Sequence, residues 1–471
     1  MKVGFVSLGC PKNLVDSEVM MGQLAANGHE LTPRPEEADV IVVNTCSFID
    51  PAKQESVDTI IEMARYKQEG RASKLIVAGC LVERYRGDIR EQIPEVDALI
   101  GTNEIDRIVE LCNDTAAEAG SAPQPYLYHD MTPRVLATPR HFAYLKISEG
   151  CDHPCTFCVI PQYRGNNRSR RFESVVLESS KLFEQGVREI NLVGQDTTAY
   201  GEDLGLKNGL ADLLARLARI ETSHEKWIRF LYAYPNRVTQ TLLDTLAAHT
   251  SLCKYIDMPL QHASASVLKR MKRGASGDIF LKLLERIRAT IPGVTIRTSF
   301  IVGFPGETEA DFTELCDFVK AAQFDRLGVF TYSDEDTAAS YHLDAKVDGR
   351  TIYNRKRRLM AIQRKISRAR NKRLVGQEFP VLLEGPSQET DLLWECRTQA
   401  QAPEIDGVCY INDLGDVPAS PGQIRRFRVT EAHDYDLIGE LTDEVIEPAP
   451  LFPGNPFQIL ASARPEATAA R

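Results

Sequence analysis

The hydrophobic pattern of the first hundred residues alternates between two periods. Short apolar runs are separated by longer stretches in which apolar residues recur every three or four positions. Strands that alternate with amphipathic helices in this way are typical of a parallel α/β sheet. Asp16 and Ser17 are predicted to cap the first helix. The predicted strands are Val3–Leu8, Val40–Asn44, Leu75–Ala78 and Ala98–Ile100.

The same strand–helix unit returns in a second region, residues 141–349. Residues 114–140, rich in alanine, proline and polar side chains, are predicted to be a linker between the two regions. Six units predict an incomplete (β/α)6 barrel, similar to a TIM barrel, with its chemistry at the carboxyl ends of the strands. The predicted strands are Phe142–Ser148, Glu189–Val193, Ile228–Ala233, Tyr255–Met258, Thr295–Val302 and Leu327–Thr331.

The pattern changes again after residue 349. Residues 350–375 predict a connecting helix, and between residues 350 and 373 it carries 11 basic and no acidic side chains. Residues 376–441 predict a small closed barrel of five strands. Residues 442–471, rich in proline and alanine, are predicted to be a disordered tail. The five predicted strands are Phe379–Leu383, Trp394–Arg397, Val408–Ile411, Gln423–Val429 and Tyr435–Leu441.

The predicted fold class is therefore α/β, with an open parallel sheet in residues 1–113, a partial barrel and a terminal β-barrel. A chain of 471 residues with 43% hydrophobic and 26% charged residues is typical of a soluble multidomain protein. Its net charge of −10 argues against general nucleic-acid binding. No apolar run is long enough for a membrane span, and the first residues do not resemble a signal peptide. We therefore expect a cytoplasmic protein.

Three of the 11 cysteines lie on one short loop after the first barrel strand: Cys151, Cys155 and Cys158. Thiolates are the usual ligands of iron–sulfur clusters, and a four-iron cluster normally takes four of them. Three ligands would leave one iron open. This spacing resembles that of the radical S-adenosylmethionine (SAM) enzymes, in which the open iron binds SAM. The alternative is a structural zinc site with His153 as a fourth ligand.

Three further cysteines share a position in the predicted N-terminal sheet. Cys10, Cys46 and Cys80 each follow the end of a different strand. Because the carboxyl ends of parallel strands meet at one edge of a sheet, the three thiols can converge. A single cysteine at such a position would be interpreted as a small buried hydrophobic residue and not as a metal ligand. Three of them predict a second cluster site, whereas the remaining cysteines are predicted to be packing residues.

Several other residues are candidates for contact with a cofactor. Gln195 follows the second barrel strand, and Gly303 and Gly306 follow the fifth. Glycine permits close approach of the backbone to a ligand, although a Pro-Gly turn needs no ligand. Phe157, inside the cysteine loop, either lies against an adenine or packs the loop.

The three parts together resemble the methylthiotransferases, which combine an N-terminal cluster domain, a radical SAM barrel and a TRAM-type β-barrel. The details are most similar to the branch that modifies ribosomal protein S-twelve. Residues 332–337 depart from that pattern, since they lack the proline and glycine expected after the sixth strand. The segments that carry the resemblance are Ser7–Glu18, Asn44–Ile49, Pro259–Ser264 and Val267–Met271.

The resemblance implies two 4Fe–4S clusters, one held by Cys151, Cys155 and Cys158 and the other by the N-terminal cysteines. It further implies that SAM serves both as the radical source and as the methyl donor. The product would be an aspartate of protein S-twelve with a methylthio group on its β-carbon. Flavodoxin or ferredoxin would supply electrons to a monomeric enzyme. Phe157, Gln195, Gly303 and Gly306 are the expected SAM contacts.

Two other functions remain open from the sequence. The first is methylthiolation of a tRNA adenosine, which the basic helix of residues 350–373 would favour if it bound phosphate. The same helix can instead pack on the barrel through Leu359, Ile362 and Ile366. Residues 376–441 hold 13 acidic side chains against four arginines, so this barrel would repel phosphate and attract a basic protein. The second is an iron–sulfur electron-transfer or scaffold protein without catalysis.

Overall fold

Residues 1–114, 126–390 and 392–450 are described by the computed structural model. They form an open sheet, a partial barrel and a small closed barrel in chain order, so the predicted fold class is confirmed. Part of the predicted linker and residues 451–471 of the predicted tail lie outside the described residues. In the described ranges, every helix is too short or too polar to cross a membrane.

The N-terminal domain is a five-stranded parallel sheet. Its elements are β1 (Lys2–Ser7), α1 (Pro11–Ala26), β2 (Glu30–Thr32), β3 (Val40–Thr45), α2 (Asp50–Gln68), β4 (Lys74–Gly79), α3 (Cys80–Gln92), β5 (Ala98–Ile100) and α4 (Ile108–Cys112). The strand order is β2-β1-β3-β4-β5. The four predicted strands are confirmed. The edge strand β2 was not predicted because it spans three residues and buries only Thr32, which leaves no recognisable period.

The predicted start of the first helix is wrong. Helix α1 begins at Pro11, because proline suits the first helical position, where no N–H partner is needed. Asp16 and Ser17 lie inside the helix and are buried. Asp16 pairs with Lys146 of the next domain, and the Ser17 hydroxyl lies 2.9 Å from that of Ser7. Residues that resemble a cap thus serve tertiary packing.

The second domain confirms the partial barrel. Its strands are β6 (Phe142–Lys146), β7 (Ser148–Glu149), β8 (Arg168–Ser169), β9 (Glu189–Val193), β10 (Trp227–Phe230), β11 (Tyr255–Asp257), β12 (Thr295–Val302) and β13 (Arg326–Thr331). Its helices are α5 (Ile160–Arg164), α6 (Phe172–Glu184), α7 (Gly209–Ala218), α8 (Gln240–Ala248), α9 (Ala265–Arg270), α10 (Gly277–Thr290), α11 (Glu309–Ala322) and α12 (Gly349–Lys372). The parallel sheets β6-β9-β10 and β11-β12-β13 are joined by a parallel bridge between Ile228 and Leu252.

The third domain is a closed five-stranded barrel in the order β14-β15-β16-β18-β17. The strands are β14 (Glu378–Pro386), β15 (Trp394–Arg397), β16 (Cys409–Asp413), β17 (Ile424–Ala432) and β18 (Leu437–Glu447). Strand β18 continues beyond the boundary predicted at Leu441, because Val445 and Glu447 still pair with Arg425 and Ile424. Residues 442–447 are therefore strand and not disordered tail.

The loop between β15 and β16 fixes the small barrel against the partial barrel. Buried Arg229 donates hydrogen bonds to the carbonyl oxygens of Gln399 at 2.9 Å and Gln401 at 3.0 Å. The Tyr255 hydroxyl donates to Asp406 Oδ2 at 2.6 Å. Because these polar groups satisfy one another, they can be buried without a large cost.

The described part of the predicted linker, residues 126–140, contains no helix or strand and packs along α1. Buried Glu18 accepts hydrogen bonds from the Arg134 guanidinium at 2.6 Å and from the Ala137 N–H at 2.8 Å. A Cβ atom added to Gly22 would lie 2.3 Å from the carbonyl carbon of Pro133. Helix α1 and this segment therefore meet backbone to backbone at Gly22.

We expect Gly22→Ala to lower the free energy of unfolding by about 1–3 kcal/mol, because backbone atoms must move to admit the methyl group. Gly87→Ala is the matched control. Gly87 is an exposed glycine in α3, and an added Cβ there meets nothing within 4 Å. Its replacement should raise stability by up to about 1 kcal/mol through helix propensity. Urea unfolding of both variants measures the difference, and equal effects would contradict the proposed close approach.

Candidate functional site

The cysteine loop lies between β7 and α5, and all three of its thiols are half-buried. Burial, with a smaller contribution from neighbouring thiols of the loop, raises the pKa of Cys151 to about 11 and that of Cys158 to about 12. The thiols are therefore close enough to affect one another. Without a cation Cys151 and Cys158 stay protonated at neutral pH, whereas a bound metal would hold them as thiolates.

Two backbone contacts fix this loop against the end of α9. The Thr156 N–H donates to the Met271 carbonyl at 3.2 Å, and the Thr156 hydroxyl donates to the Arg270 carbonyl at 2.9 Å. Arg273 places a guanidinium nitrogen 3.7 Å from Cys155 Sγ. A positive charge beside the loop favours the thiolate form that binds metal.

Phe157 and His153 are both held by protein side chains. Phe157 packs against a buried cluster that contains Val267, Met271 and Phe304, which agrees with the interpretation of loop packing. His153 Nε2 lies 2.6 Å from Asp196 Oδ2, and the imidazole stacks on Tyr234 at a centroid distance of 3.6 Å. Nε2 is thus engaged by a carboxylate, so the zinc alternative would need Nδ1 as the ligand. Contact of Phe157 with SAM stays a prediction.

The structure brings Cys10, Cys46 and Cys80 together at the carboxyl edge of the N-terminal sheet. Cys10 caps α1, Cys46 follows β3, and Cys80 is the first residue of α3. Burial, together with the other two thiols, raises the pKa of Cys46 to about 12. Burial opposes ionisation of Cys10 as well, but the charges of Lys12 and Arg164 outweigh it, so the pKa of Cys10 is lowered.

Two buried amides hold the loops that carry these thiols. Asn13 Nδ2 donates to the carbonyl oxygens of Leu8 at 2.8 Å and Thr45 at 3.0 Å. Asn44 Nδ2 donates to the Asn13 carbonyl at 2.8 Å. A Cβ added to Gly79, which has φ +96°, would lie 2.3 Å from Asn44 Oδ1. The three strand ends are therefore locked to one another.

A buried ion network links the partial barrel to the N-terminal cysteines, and sequence reasoning missed it. Arg164, the last residue of α5, donates to Cys80 Sγ at 3.2 Å and to Glu149 Oε1 at 2.9 Å, and it lies 3.3 Å from Asp16 Oδ2. Lys146 pairs with Asp16 and lies 2.7 Å from Glu149 Oε2. The only sequence signal was the position of Arg164 six residues after Cys158.

Gln195 reaches this network, because its Nε2 donates to Glu149 Oε1 at 2.6 Å. Gln195 Oε1 is buried without a hydrogen-bond partner among the described residues, and so is the hydroxyl oxygen of Ser148. Buried polar atoms are normally hydrogen-bonded. The two unpaired groups therefore fit a polar ligand at this end of the barrel.

The two predicted glycine contacts lie against side chains of the chain itself. A Cβ added to Gly303 would lie 2.3 Å from Cγ1 of Ile352 in α12, and one added to Gly306 would lie 2.9 Å from Cζ of Arg270. Both glycines have positive φ, +83° and +77°, which other residues rarely adopt. Their conformation is explained by packing, and contact with a cofactor stays a prediction.

The described ranges contain no group of three or more His, Cys, Asp or Glu side chains arranged to hold a metal ion. All six candidate cysteines are free thiols. Three thiols at each site are the donors that iron–sulfur clusters require, so the residues fit such clusters by their chemistry. The assignment of the six ligands stays a prediction.

Comparison with known families covers most of the chain. Residues 2–101 match the uncharacterized protein family UPF0004, residues 145–319 match the radical SAM superfamily, and residues 375–442 match the TRAM domain. The chain is 76% identical over 456 residues to the ribosomal protein uS12 methylthiotransferase RimO of Solibacter usitatus, across 97% of this chain and 98% of that protein.

Two more distant relatives carry the same description. The protein of Koribacter versatilis is 59% identical across 93% of this chain and 96% of its own length, and that of Myxococcus xanthus is 48% identical across 93% and 91%. The chain belongs to the uS12 methylthiotransferase family. The resemblance predicted from the sequence is thereby confirmed, uS12 being the S-twelve protein named above. Members of this family are radical SAM enzymes, which implies one 4Fe–4S cluster and SAM.

A solved structure shares the fold at much lower identity. The radical SAM methyltransferase TsrM from Kitasatospora setae, with cobalamin and a [4Fe-4S] cluster bound, is 14% identical to this chain with a TM-score of 0.52. The match covers 70% of this chain and 72% of that one. At this identity the likeness shows the fold alone.

We expect Arg164→Met to lower the free energy of unfolding by about 3–5 kcal/mol, because it leaves buried Asp16 and Glu149 with one cation in place of two. Arg164→Lys should lower the free energy of unfolding by less, since lysine keeps the positive charge. Arg171→Met, at an exposed arginine just before α6, is the control and should change stability by less than about 0.5 kcal/mol. Urea unfolding compares the three variants, and similar values for Arg164→Met and Arg171→Met would disprove a structural role of the network.

Proposed function

We propose that this protein transfers a methylthio group to the β-carbon of an aspartate in ribosomal protein uS12. Family membership supports the reaction class. The observation that carries the proposal at residue level is the pairing of Arg164 with Cys80, because Arg164 lies on the helix that follows the Cys151–Cys158 loop. The helix that follows one set of thiols therefore contacts a thiol of the other set.

In this proposal Cys151, Cys155 and Cys158 hold the cluster that binds SAM, and Cys10, Cys46 and Cys80 hold a second 4Fe–4S cluster. When bound, these groups supply the radical and sulfur chemistry that opens an unactivated C–H bond, which acid–base groups cannot do. The chain's own residues position these groups and exclude water. Arg164, Glu149 and Lys146 set the distance between the two sites, and Gln195 offers its unpaired Oε1 to SAM.

The contacts of α12 weaken the alternative of a tRNA substrate. Leu359 and Ile366 are buried against the partial barrel, and Ile362 is partly buried there. Several of the helix arginines pair with acidic side chains on the same chain. These pairs are Arg355–Glu307, Arg358–Glu309, Arg364–Asp434, Arg368–Asp434 and Arg370–Asp325. Five of these basic side chains are thus paired within the chain, and the less exposed Arg355 and Arg370 pair with acids of the partial barrel.

The acidic composition of the terminal barrel predicts attraction of a basic protein partner. Ion pairs with cations outside this barrel reduce the negative charge that is available for this attraction. Glu384 lies 2.5 Å from the Arg397 guanidinium, and Asp406 lies 3.6 Å from that of Arg297 in the partial barrel. Other acids of this barrel pair with Arg428 on its own surface. The pairs with Arg397 and Arg428 are already counted in the net charge of this barrel, so only pairs with cations outside it, such as Arg297, reduce that charge, and the exposed remainder can attract uS12.

The proposed reaction needs an electron donor in addition to the protein substrate. We propose that flavodoxin or ferredoxin supplies the electron, and that the enzyme acts in the cytoplasm as a monomer. A non-catalytic electron-transfer or scaffold role is the less favoured alternative, because the relatives from Solibacter usitatus and Koribacter versatilis are described as methylthiotransferases.

The substrate is tested by incubating the reconstituted enzyme with SAM, a reductant and either uS12 or tRNA. We expect a mass gain of one methylthio group on uS12 and none on tRNA, measured by mass spectrometry. A gain on tRNA alone would reject the proposed substrate. Absence of deoxyadenosine after reduction would instead favour the non-catalytic alternative.

Substitution of the two sets of cysteines should separate their roles. We expect Cys151→Ala to abolish SAM cleavage, and Cys80→Ala to leave cleavage largely intact while sulfur insertion stops. Iron analysis of the anaerobically purified protein should give about eight irons per wild-type chain and about four for either variant set. Cys316→Ala, at a buried cysteine far from both sets in sequence, is the control and should keep both activities. Identical behaviour of Cys151→Ala and Cys80→Ala would argue against separate roles.

A further inference from the structure

Lys12 is a buried cation that has no carboxylate partner among the residues that the structure describes. It lies in the first turn of α1, two residues after Cys10, and only 9% of its surface is exposed. Its ammonium group lies 3.4 Å from the centroid of the Tyr232 ring. In the part of the chain that the structure describes, no carboxylate oxygen lies within 4.0 Å of it. Burial of an ammonium ion is unfavourable unless a counter-charge compensates it.

The acidic groups around Lys12 are already engaged by other cations. Asp16 and Glu149 belong to the buried ion network of the site. Asp257, at the end of β11, pairs with Arg297 at 2.7 Å. Among the described residues each of these carboxylates is thus paired with another cation, and the negative charge beside Lys12 is that of the Cys10 thiolate.

Tyr232, which lies beneath the ammonium group, has a backbone that few tyrosines adopt. Its φ is +64°, in the left-handed region that bulky residues avoid. Its N–H donates to Asp257 Oδ2 at 3.0 Å, and its carbonyl accepts from the Thr197 N–H at 3.1 Å. Strain of this kind is retained where it serves function. Because Lys12 packs on the ring of Tyr232, it lies just past the carboxyl end of β10. The catalytic residues of such barrels lie at this end of the strands.

We propose that Lys12 Nζ binds the side-chain carboxylate of the aspartate that is modified. This inference rests on the proposed function. In aspartate the β-carbon is bonded directly to the carboxylate carbon, so a fixed carboxylate fixes the reacting carbon one bond away. The substrate then supplies the carboxylate partner that Lys12 lacks among the described residues. Asparagine in place of the aspartate would bring no negative charge to Lys12. Glutamate would place its β-carbon one bond farther from the bound carboxylate carbon.

A double-mutant cycle on binding tests this pairing. The reconstituted holoenzyme with SAM and no reductant is titrated with two uS12 peptides, one with the acceptor aspartate and one with asparagine in its place. Wild type should prefer the aspartate peptide by about 10- to 100-fold, as expected for a hydrogen bond between charged groups. Lys12→Gln should bind both peptides with equal affinity within about 2-fold. Lys12→Arg should restore part of the preference.

Two controls separate substrate binding from support of the N-terminal cluster. Iron content and visible absorption of Lys12→Gln should match wild type. Lys226→Gln should keep the full preference, because Lys226 is a buried lysine that donates to the Ile220 carbonyl on the outside of the barrel. An undiminished preference in Lys12→Gln would overturn the proposal, and so would loss of iron with equal weakening of both peptides. Failure of wild type to modify uS12 would instead overturn the proposed function.

Discussion

The arrangement of the first two domains depends on a buried ion network. Lys146 and Arg164 of the partial barrel meet Glu149 of the same domain and Asp16 of the N-terminal helix, all with little exposed surface. Buried charges are tolerated only when they are paired and hydrogen-bonded, so each domain is incomplete without the other. Because Arg164 also contacts Cys80, the same pairing sets the N-terminal thiols beside the barrel mouth.

Arginine has the same role at the other interface. Arg397, the last residue of β15 in the terminal barrel, lies 2.7 Å from Glu189 of the partial barrel. It also lies 2.5 Å from Glu384 on the neighbouring strand β14. Its planar guanidinium can serve two carboxylates at once, which lysine does less well. Three domains are thus joined by buried arginines, and the central barrel can align a cofactor, a second thiol site and a protein substrate.

Local patterns predicted the strands and helices wherever apolar residues recur at the regular spacing of a strand or a helix. Strands β5, β9, β12 and β15 have the predicted bounds, because a buried run between turns leaves a clear signal. The errors lie where tertiary contact overrides local preference. Asp16 resembles a helix cap yet pairs with another domain. Gly303 makes room for Ile352, which the sequence did not indicate, and its contact with a cofactor stays a prediction. The loop of residues 332–337, unusual for the family, carries Glu335, which pairs with Lys53 and Arg84 of the N-terminal domain.

The sequence by itself determined the chemistry, since the spacing of Cys151, Cys155 and Cys158 is local and needs no tertiary contact to be recognised. It also determined the order of the domains and, through long motifs, the family. Only the tertiary structure decided how Arg164, Gln195 and Lys12 contribute. Their roles depend on which charges are buried, and on which of them find partners, among residues far apart in the chain. No periodicity or spacing encodes that pairing.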